Sequence, residues 1–294
     1  MTAHLVRHES GYMTSPASSA TGAADLPDYA PIPPSALGVA LNDQGYYVGR
    51  VERNLYWVTD GTYQAAFLTT RDGVVLFDGD VVHLGHEETR RLLLRDNSPA
   101  RPAPDVTFAD RYTLEVGGER VELAWHGPNH SPDNIYIHFP DHDTLMFIDV
   151  VNAGWVPIYN LNLSDDVIGY VAAPSIVLDY PWTHFISGHL GRLATREDVA
   201  VHQAYIADIQ ASSKAALASV DPTPFYMKYG AAGNSWGFVQ GYLDAVTERA
   251  AAPIIAKYTG VLAAADIEIY TRTTTFAIMQ SLRLDSGPSG PVHP

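Results

Sequence analysis

The chain has 294 residues, room for one large domain or two small ones, and 46% of them are hydrophobic against 17% charged, the balance of a folded globular body. Its 18 Lys and Arg against 33 Asp and Glu give a net charge of −15, which repels phosphate backbones and anionic bilayers and argues against nucleic acid and membranes as partners. With no cysteine, disulfides, zinc–thiolate sites and cysteine nucleophiles are excluded, any metal must be held by His, Asp or Glu, and a cytoplasmic location fits.

Residues 1–36 are rich in Ser, Ala, Gly and Pro and read as a flexible arm without the apolar core of a signal peptide. No later stretch is apolar for long enough to span a membrane. Residues 46–60 carry the aromatic and β-branched content of a strand. Asp60-Gly61 is a turn signal, 63–70 reads as a second strand, and Arg71-Asp72-Gly73 is another turn. The short apolar run 74–77 suits a strand buried on both faces, and it closes in Asp78-Gly79.

Residues 87–95 read as a helix, with acids at the start and bases near the end to suit its dipole. Residues 97–104 form a Pro-containing loop. Strands are expected at about 105–108, 111–116, 119–125, 134–139 and 144–149, a helix over 164–178, and a short strand over 183–187. Thr195, with Asp198 three residues on, is an N-cap signal for a long helix. Helical patterning then fills most of 197–219, 236–259 and 268–282, and the tail 286–294 reads as disordered. Tyr226, Tyr229, Trp236 and Phe238 read as core packing, with an oligomer contact as the other reading. The order of strands, helix, strands and helices implies an α/β (α+β) layered architecture with a helical C-terminal extension.

The sharpest chemistry lies in Trp125-His126-Gly127-Pro128-Asn129-His130-Ser131-Pro132-Asp133-Asn134, a turn between two strands. The next strand ends in Asp149, and a third short strand ends in Gly188-His189. His, Asp and His thus each fall at a strand end, and such ends gather on one rim of a sheet. Two imidazoles and a carboxylate can hold Zn²⁺ or Fe²⁺ with positions left for water or substrate. Each residue also has a local reading: His130 as a hydrogen-bonding turn residue, Asp149 as a cap, His189 as part of a turn. A non-haem iron oxygenase is a further reading, resting on ligand types alone.

These motifs resemble the metallo-β-lactamase superfamily over residues 46 to about 196. The strand closing in Phe77-Asp78-Gly79 is similar to the family's first landmark, and Asn129-His130-Ser131-Pro132-Asp133-Asn134 to its later His motif, with Asp133 where Gly is usual. Asp149 matches the bridging carboxylate and His189 the last ligand. The resemblance implies an αββα sandwich, a small-molecule substrate and a Zn²⁺ site in which His130 binds the first metal, Asp149 bridges and His189 binds the second. It also implies a metal-activated water attacking an ester, lactone, lactam or thioester-type bond.

The family's His-x-His-x-Asp-His motif occurs nowhere in this chain. His86 follows Asp78 by only eight positions, where a strand–helix–strand unit needs roughly 30 or more residues. The sandwich is therefore expected to be shortened by loss of that unit. His83 and His86, with Asp80 nearby, are candidate stand-in ligands if that stretch is helical; the other reading makes 80–84 a remnant edge strand with His86 at the helix start. His126 and His138 read as structural, and Asp141-His142-Asp143 as a solvated turn. Loss of the unit exposes sheet edge, which homo-oligomerisation would cover. The expected organisation is a flexible arm (1–36), a metallo-β-lactamase-like domain (37–196), a helical part packed on the same domain (197–285) and a tail (286–294). Two functions remain open: a metallo-hydrolase with an incomplete metal site, for which a single ion suffices, and a catalytically silent member acting by binding or assembly.

Overall fold

The computed structural model describes residues 28–77 and 84–284, and its framework is two facing sheets. The first is antiparallel in the order β1 (Tyr47–Glu52), β2 (Leu55–Thr59), β3 (Gln64–Thr70), β4 (Gly73–Phe77). The second has the order β11 (His184–Ile186), β10 (Thr144–Met146), β9 (Tyr136–Phe139), β8 (Glu119–Ala124), β7 (Arg111–Val116), antiparallel except for the parallel β10–β11 pair. In a separate two-stranded sheet, β5 (Leu84–His86) pairs in parallel with β6 (Val106–Phe108). Leu55, Trp57, Ala66 and Leu68 from the first sheet and Val121, Phe139, Met146 and Ile186 from the second form the core between the layers.

The other face of the second sheet is covered by helices. Tyr136, Leu145, Phe147 and Phe185 share a core with α3 (Val167–Asp179), α4 (Arg196–Ser219), α6 (Ser235–Tyr258) and α7 (Glu268–Leu284). Thr195 and Asp198 close a full capping box on α4, the N-cap signal of the sequence. Short elements complete the order: α1 (Glu87–Asp96), α2 (Tyr159–Leu163) and α5 (Thr223–Lys228). The result is a mixed α/β fold with C-terminal helices.

Several local expectations are corrected. Residues 46–60 form a hairpin, not one strand. Arg53 turns the chain at φ 46°, and the Asn54 side chain donates to the Thr69 carbonyl and to Glu119, which holds the turn against β3. Strand β4 is not buried on both faces: among the described residues it lies at the sheet edge, with Val74 64% and Leu76 46% exposed. Helix α1 packs on β5 and β6 and buries none of its residues. His142 is not in a solvated turn. It is fully buried, its Nε2 2.9 Å from Glu119 and its Nδ1 3.3 Å from the Glu52 carbonyl. Trp236, read as core packing, is 83% exposed, and Tyr226 is also exposed. No helix among the described residues is long and apolar enough to cross a membrane.

Candidate functional site at the strand ends

His130 sits in a loop that its neighbours hold rigid. The buried Asn129 side chain accepts the His130 N–H at 2.8 Å and the Asn134 amide at 2.9 Å. Asn134 also donates to the Ile148 carbonyl at 3.0 Å, which ties the loop to the residue before Asp149. Ser131 donates to Asp133, and the Trp125 indole to the Pro132 carbonyl. From the other side, the N–H groups of Asp165 and Asp166 donate to the carbonyls of His130 and Asn129, docking the loop on the entry to α3. Gly169 makes that approach feasible, because a Cβ there would lie 1.8 Å from the Pro128 carbonyl oxygen.

Asp149 stands beyond the end of β10, at φ 69°. The expected strand over 144–149 ends at Met146 as a regular ladder, yet Phe147 and Asp149 still donate to the carbonyls of Ile186 and Ser187. His189 follows β11 through Gly188 at φ 87° and precedes Leu190 at φ 68°. The buried Gln64 fixes this corner, its Nε2 donating to the carbonyls of His189, Leu190 and Arg192 at 2.8–2.9 Å. The Tyr63 ring leans on the His189 ring at 5.2 Å.

The three residues meet. His189 Nε2 lies 2.5 Å from Asp149 Oδ1, and His130 Nε2 lies 3.6 Å from Asp149 Oδ2. The hydrogen bond to Asp149 raises the His189 pKa above its ordinary value, burial opposes this, and the carboxylate charge and the Thr62 carbonyl add to the rise. The trio has the donor chemistry of a one-ion Zn²⁺ site. As arranged, the imidazole of His189 is turned onto the carboxylate, and among the described residues no group of three or more His, Asp or Glu is set out to hold a metal.

The trio opens on a cavity of about 270 Å³ whose walls are Trp155, Val156, Ile158 and Leu190, with Asn152 and Asn162 beside the polar floor. Sequence reasoning missed both asparagines. Asn160, Leu161, Asn162 and Leu163 lie at φ 49°, 59°, 58° and 64°, so α2 winds left-handed. Such a turn costs roughly 1–2 kcal/mol per residue with a Cβ, less for Asn. Burial of Leu161 offsets this, and the Thr273 and Thr274 hydroxyls of α7 accept the free N–H groups of Asn160 and Leu161. The Asn-Leu-Asn triplet is the only local signal, Asn being the non-glycine residue that tolerates this region. The Trp155 wall is also held by the C-terminal part, through Val156 and Ala263.

His86 takes no part in the site. It is buried, caps α1 by accepting the Glu88 N–H, and lies 2.6 Å from the Ala109 carbonyl. Its expected place at the helix start is where it lies. His83, with Asp78 and Asp80, falls outside the described residues. His126 contacts the Tyr180 hydroxyl at 2.8 Å, and His138 contacts Glu122 at 3.1 Å.

No family model matches the chain. Among curated proteins it is similar to subunit alpha of 2,4-dinitroanisole O-demethylase from Nocardioides sp. (strain JS1661), with 28% identity over 145 residues. The match covers 49% of this chain and 43% of that protein, so it spans less than half of that relative's length. Among solved structures it is similar to a metallo-β-lactamase from Pontibacter korlensis (17% identity, TM-score 0.45, 54% of this chain and 97% of that one). It is also similar to DIM-1 metallo-β-lactamase (13% identity, TM-score 0.46, 54% and 96%). Each of these likenesses extends over about half of this chain.

Proposed function

We propose that the chain is a hydrolase-like protein of the metallo-β-lactamase superfamily with a reduced centre made of His130, Asp149 and His189. The observation that supports this is Asp149, which lies within 3.6 Å of both imidazoles at the floor of a cavity of small-molecule size. The substrate is a small organic molecule. Its reacting bond is of the ester, lactone, lactam or thioester type, or an aryl ether of the kind in the name of the 28%-identical relative. That relative is named as a subunit, which makes assembly with a second chain, like or unlike, part of the proposal.

The donors suit one Zn²⁺ ion, held by His130, Asp149 and His189 once the His189–Asp149 hydrogen bond gives way. When bound, such an ion lowers the pKa of a coordinated water toward neutrality. The chain's own residues do the rest. Without an ion, Asp149 Oδ1 holds the His189 ring through its Nε2; with one, these two groups and His130 would turn to the ion, and Trp155, Val156, Ile158 and Leu190 limit water around the reacting bond.

The test is metal content in protein purified without chelator. About one Zn²⁺ per chain, lost in His130→Ala and in His189→Ala, supports the reading. Absence of stoichiometric metal overturns it in favour of a silent member that acts by binding or assembly. Two observations favour that second reading: the motif is missing from the sequence, and the imidazole of His189 is closed onto Asp149. Turnover of any substrate class that His130→Ala abolishes would in turn rule it out.

A further inference from the structure

We infer that this cavity selects uncharged, largely apolar molecules of about one ring and excludes carboxylates and other anions. The inference rests on reading the cavity as the ligand site of the proposed function.

The argument begins with the charges that face the cavity. Among the described residues that line it there is no Lys and no Arg. Asp149 is the one acid of the lining, and His130 and His189 are the groups there able to become cations. Both rings face Asp149 through Nε2, at 3.6 and 2.5 Å. With one imidazole protonated the trio is neutral, with neither it is negative, and only protonation of both makes it positive. Positive charge on one ring is thus matched inside the trio and not by a ligand. Arg192, three positions after His189, supplies no cation either. Its Nη1 and Nη2 donate to the two Asp198 carboxylate oxygens at 2.8 and 2.6 Å, and Nη1 also donates to the Leu193 carbonyl.

Neutral donors do not take the place of a cation. Asn162 Nδ2 donates to the Asp149 carbonyl at 3.0 Å, and Asn152 Nδ2 to Asn162 Oδ1 at 3.1 Å, so both amides are engaged with the protein. The walls are Trp155, Val156, Ile158 and Leu190. An anion entering here exchanges water for apolar surface and meets the like charge of Asp149, a cost that no counter-ion offsets. The net charge of −15 acts in the same direction at longer range. An uncharged ring meets none of these costs and gains from burial against the four walls. A cavity of about 150 Å³ suffices for benzene, so the 270 Å³ here takes one ring with a small substituent. Of the ester, lactone, lactam, thioester and aryl ether substrates in the proposed function, those without an ionised group fit this site.

Benzamide and benzoate are nearly isosteric and differ in charge, so they test the inference by titration, with no need for turnover. Calorimetry at about pH 8, above the ordinary histidine range, keeps a doubly protonated trio out of the comparison. The wild-type chain is expected to bind benzamide at least about tenfold more tightly than benzoate, both as purified and after EDTA treatment. Ile158→Lys puts a cation on a wall position that is 46% exposed, where a lysine head group stays hydrated. It should raise benzoate affinity about tenfold and leave benzamide within about twofold. Benzoate binding as tightly as benzamide in either wild-type preparation, no saturable binding of benzamide, or a preference unchanged in Ile158→Lys would overturn the inference. If Ile158→Lys fails to fold, the wild-type comparison decides by itself. Metal content is a separate readout: a metal-free chain that prefers benzamide keeps this inference and loses the zinc reading, and a zinc-bound chain without the preference does the reverse.

Discussion

His189 Nε2 lies 2.5 Å from Asp149 Oδ1, and the carboxylate that accepts this bond belongs to a residue held at φ 69°. The backbone at Asp149 is thus kept in a region that L-residues rarely occupy so that its side chain can meet two imidazoles. Gly188 at φ 87° and Leu190 at φ 68° bracket His189 in the same way. Strain concentrated around a group of polar side chains is the pattern expected of a site, not of a packing defect.

Asp149→Gly relieves that backbone strain and Asp149→Ala does not, while both remove the carboxylate. The glycine variant is expected to be more stable than the alanine variant by about 1 kcal/mol in urea unfolding. Equal stabilities would show that the φ of 69° carries no cost.

Gly169→Ala places a Cβ against the Pro128 carbonyl oxygen at 1.8 Å. In an open helix the same change would stabilise by up to about 1 kcal/mol. Here the sign should reverse, with a loss of about 3 kcal/mol seen in the unfolding midpoint, because the backbone of the His130 loop cannot retreat. A neutral result would mean that the loop is not clamped on α3.

His202 lies on α4, fully buried beside Tyr170, with neither ring nitrogen partnered, and burial pushes its pKa down from 6.5 to about 4. The unfolded chain takes up a proton below pH 6.5, whereas the folded chain does not until about pH 4. Its contribution is therefore fully present above pH 6.5 and is lost as pH falls toward 4, about 3 kcal/mol in all. His202→Leu should flatten that part of the stability–pH curve, measured by unfolding at pH 7 and pH 4.5; an unchanged slope would argue against a neutral buried ring.

Leu76 tests the exposed edge. If β4 were buried on both faces, Leu76→Lys would cost several kcal/mol, of the order of about 3. At 46% exposure on an edge strand it should change stability by no more than about 0.5 kcal/mol and reduce self-association in light scattering.

The sequence by itself determined the strand–turn–strand order and the helical C-terminal part, and it singled out His130, Asp149 and His189 as candidates, because period, turn chemistry and strand ends are local signals. It also determined the absence of the His-x-His-x-Asp-His motif, which is a matter of spelling. Only the tertiary structure decided what faces what. Whether the apolar run Val74–Phe77 is central or at an edge depends on sheet order, and whether His142 is wet depends on Glu119, 23 residues away along the chain. The asparagines beside the site were hidden for the same reason. Asn162 is useful because a left-handed turn, held by Thr273 and Thr274 more than a hundred residues later, carries it to Asp149 and Asn152. Long-range contacts of that kind leave almost no trace in local pattern, since the chain pays the turn's cost with partners that are distant in sequence.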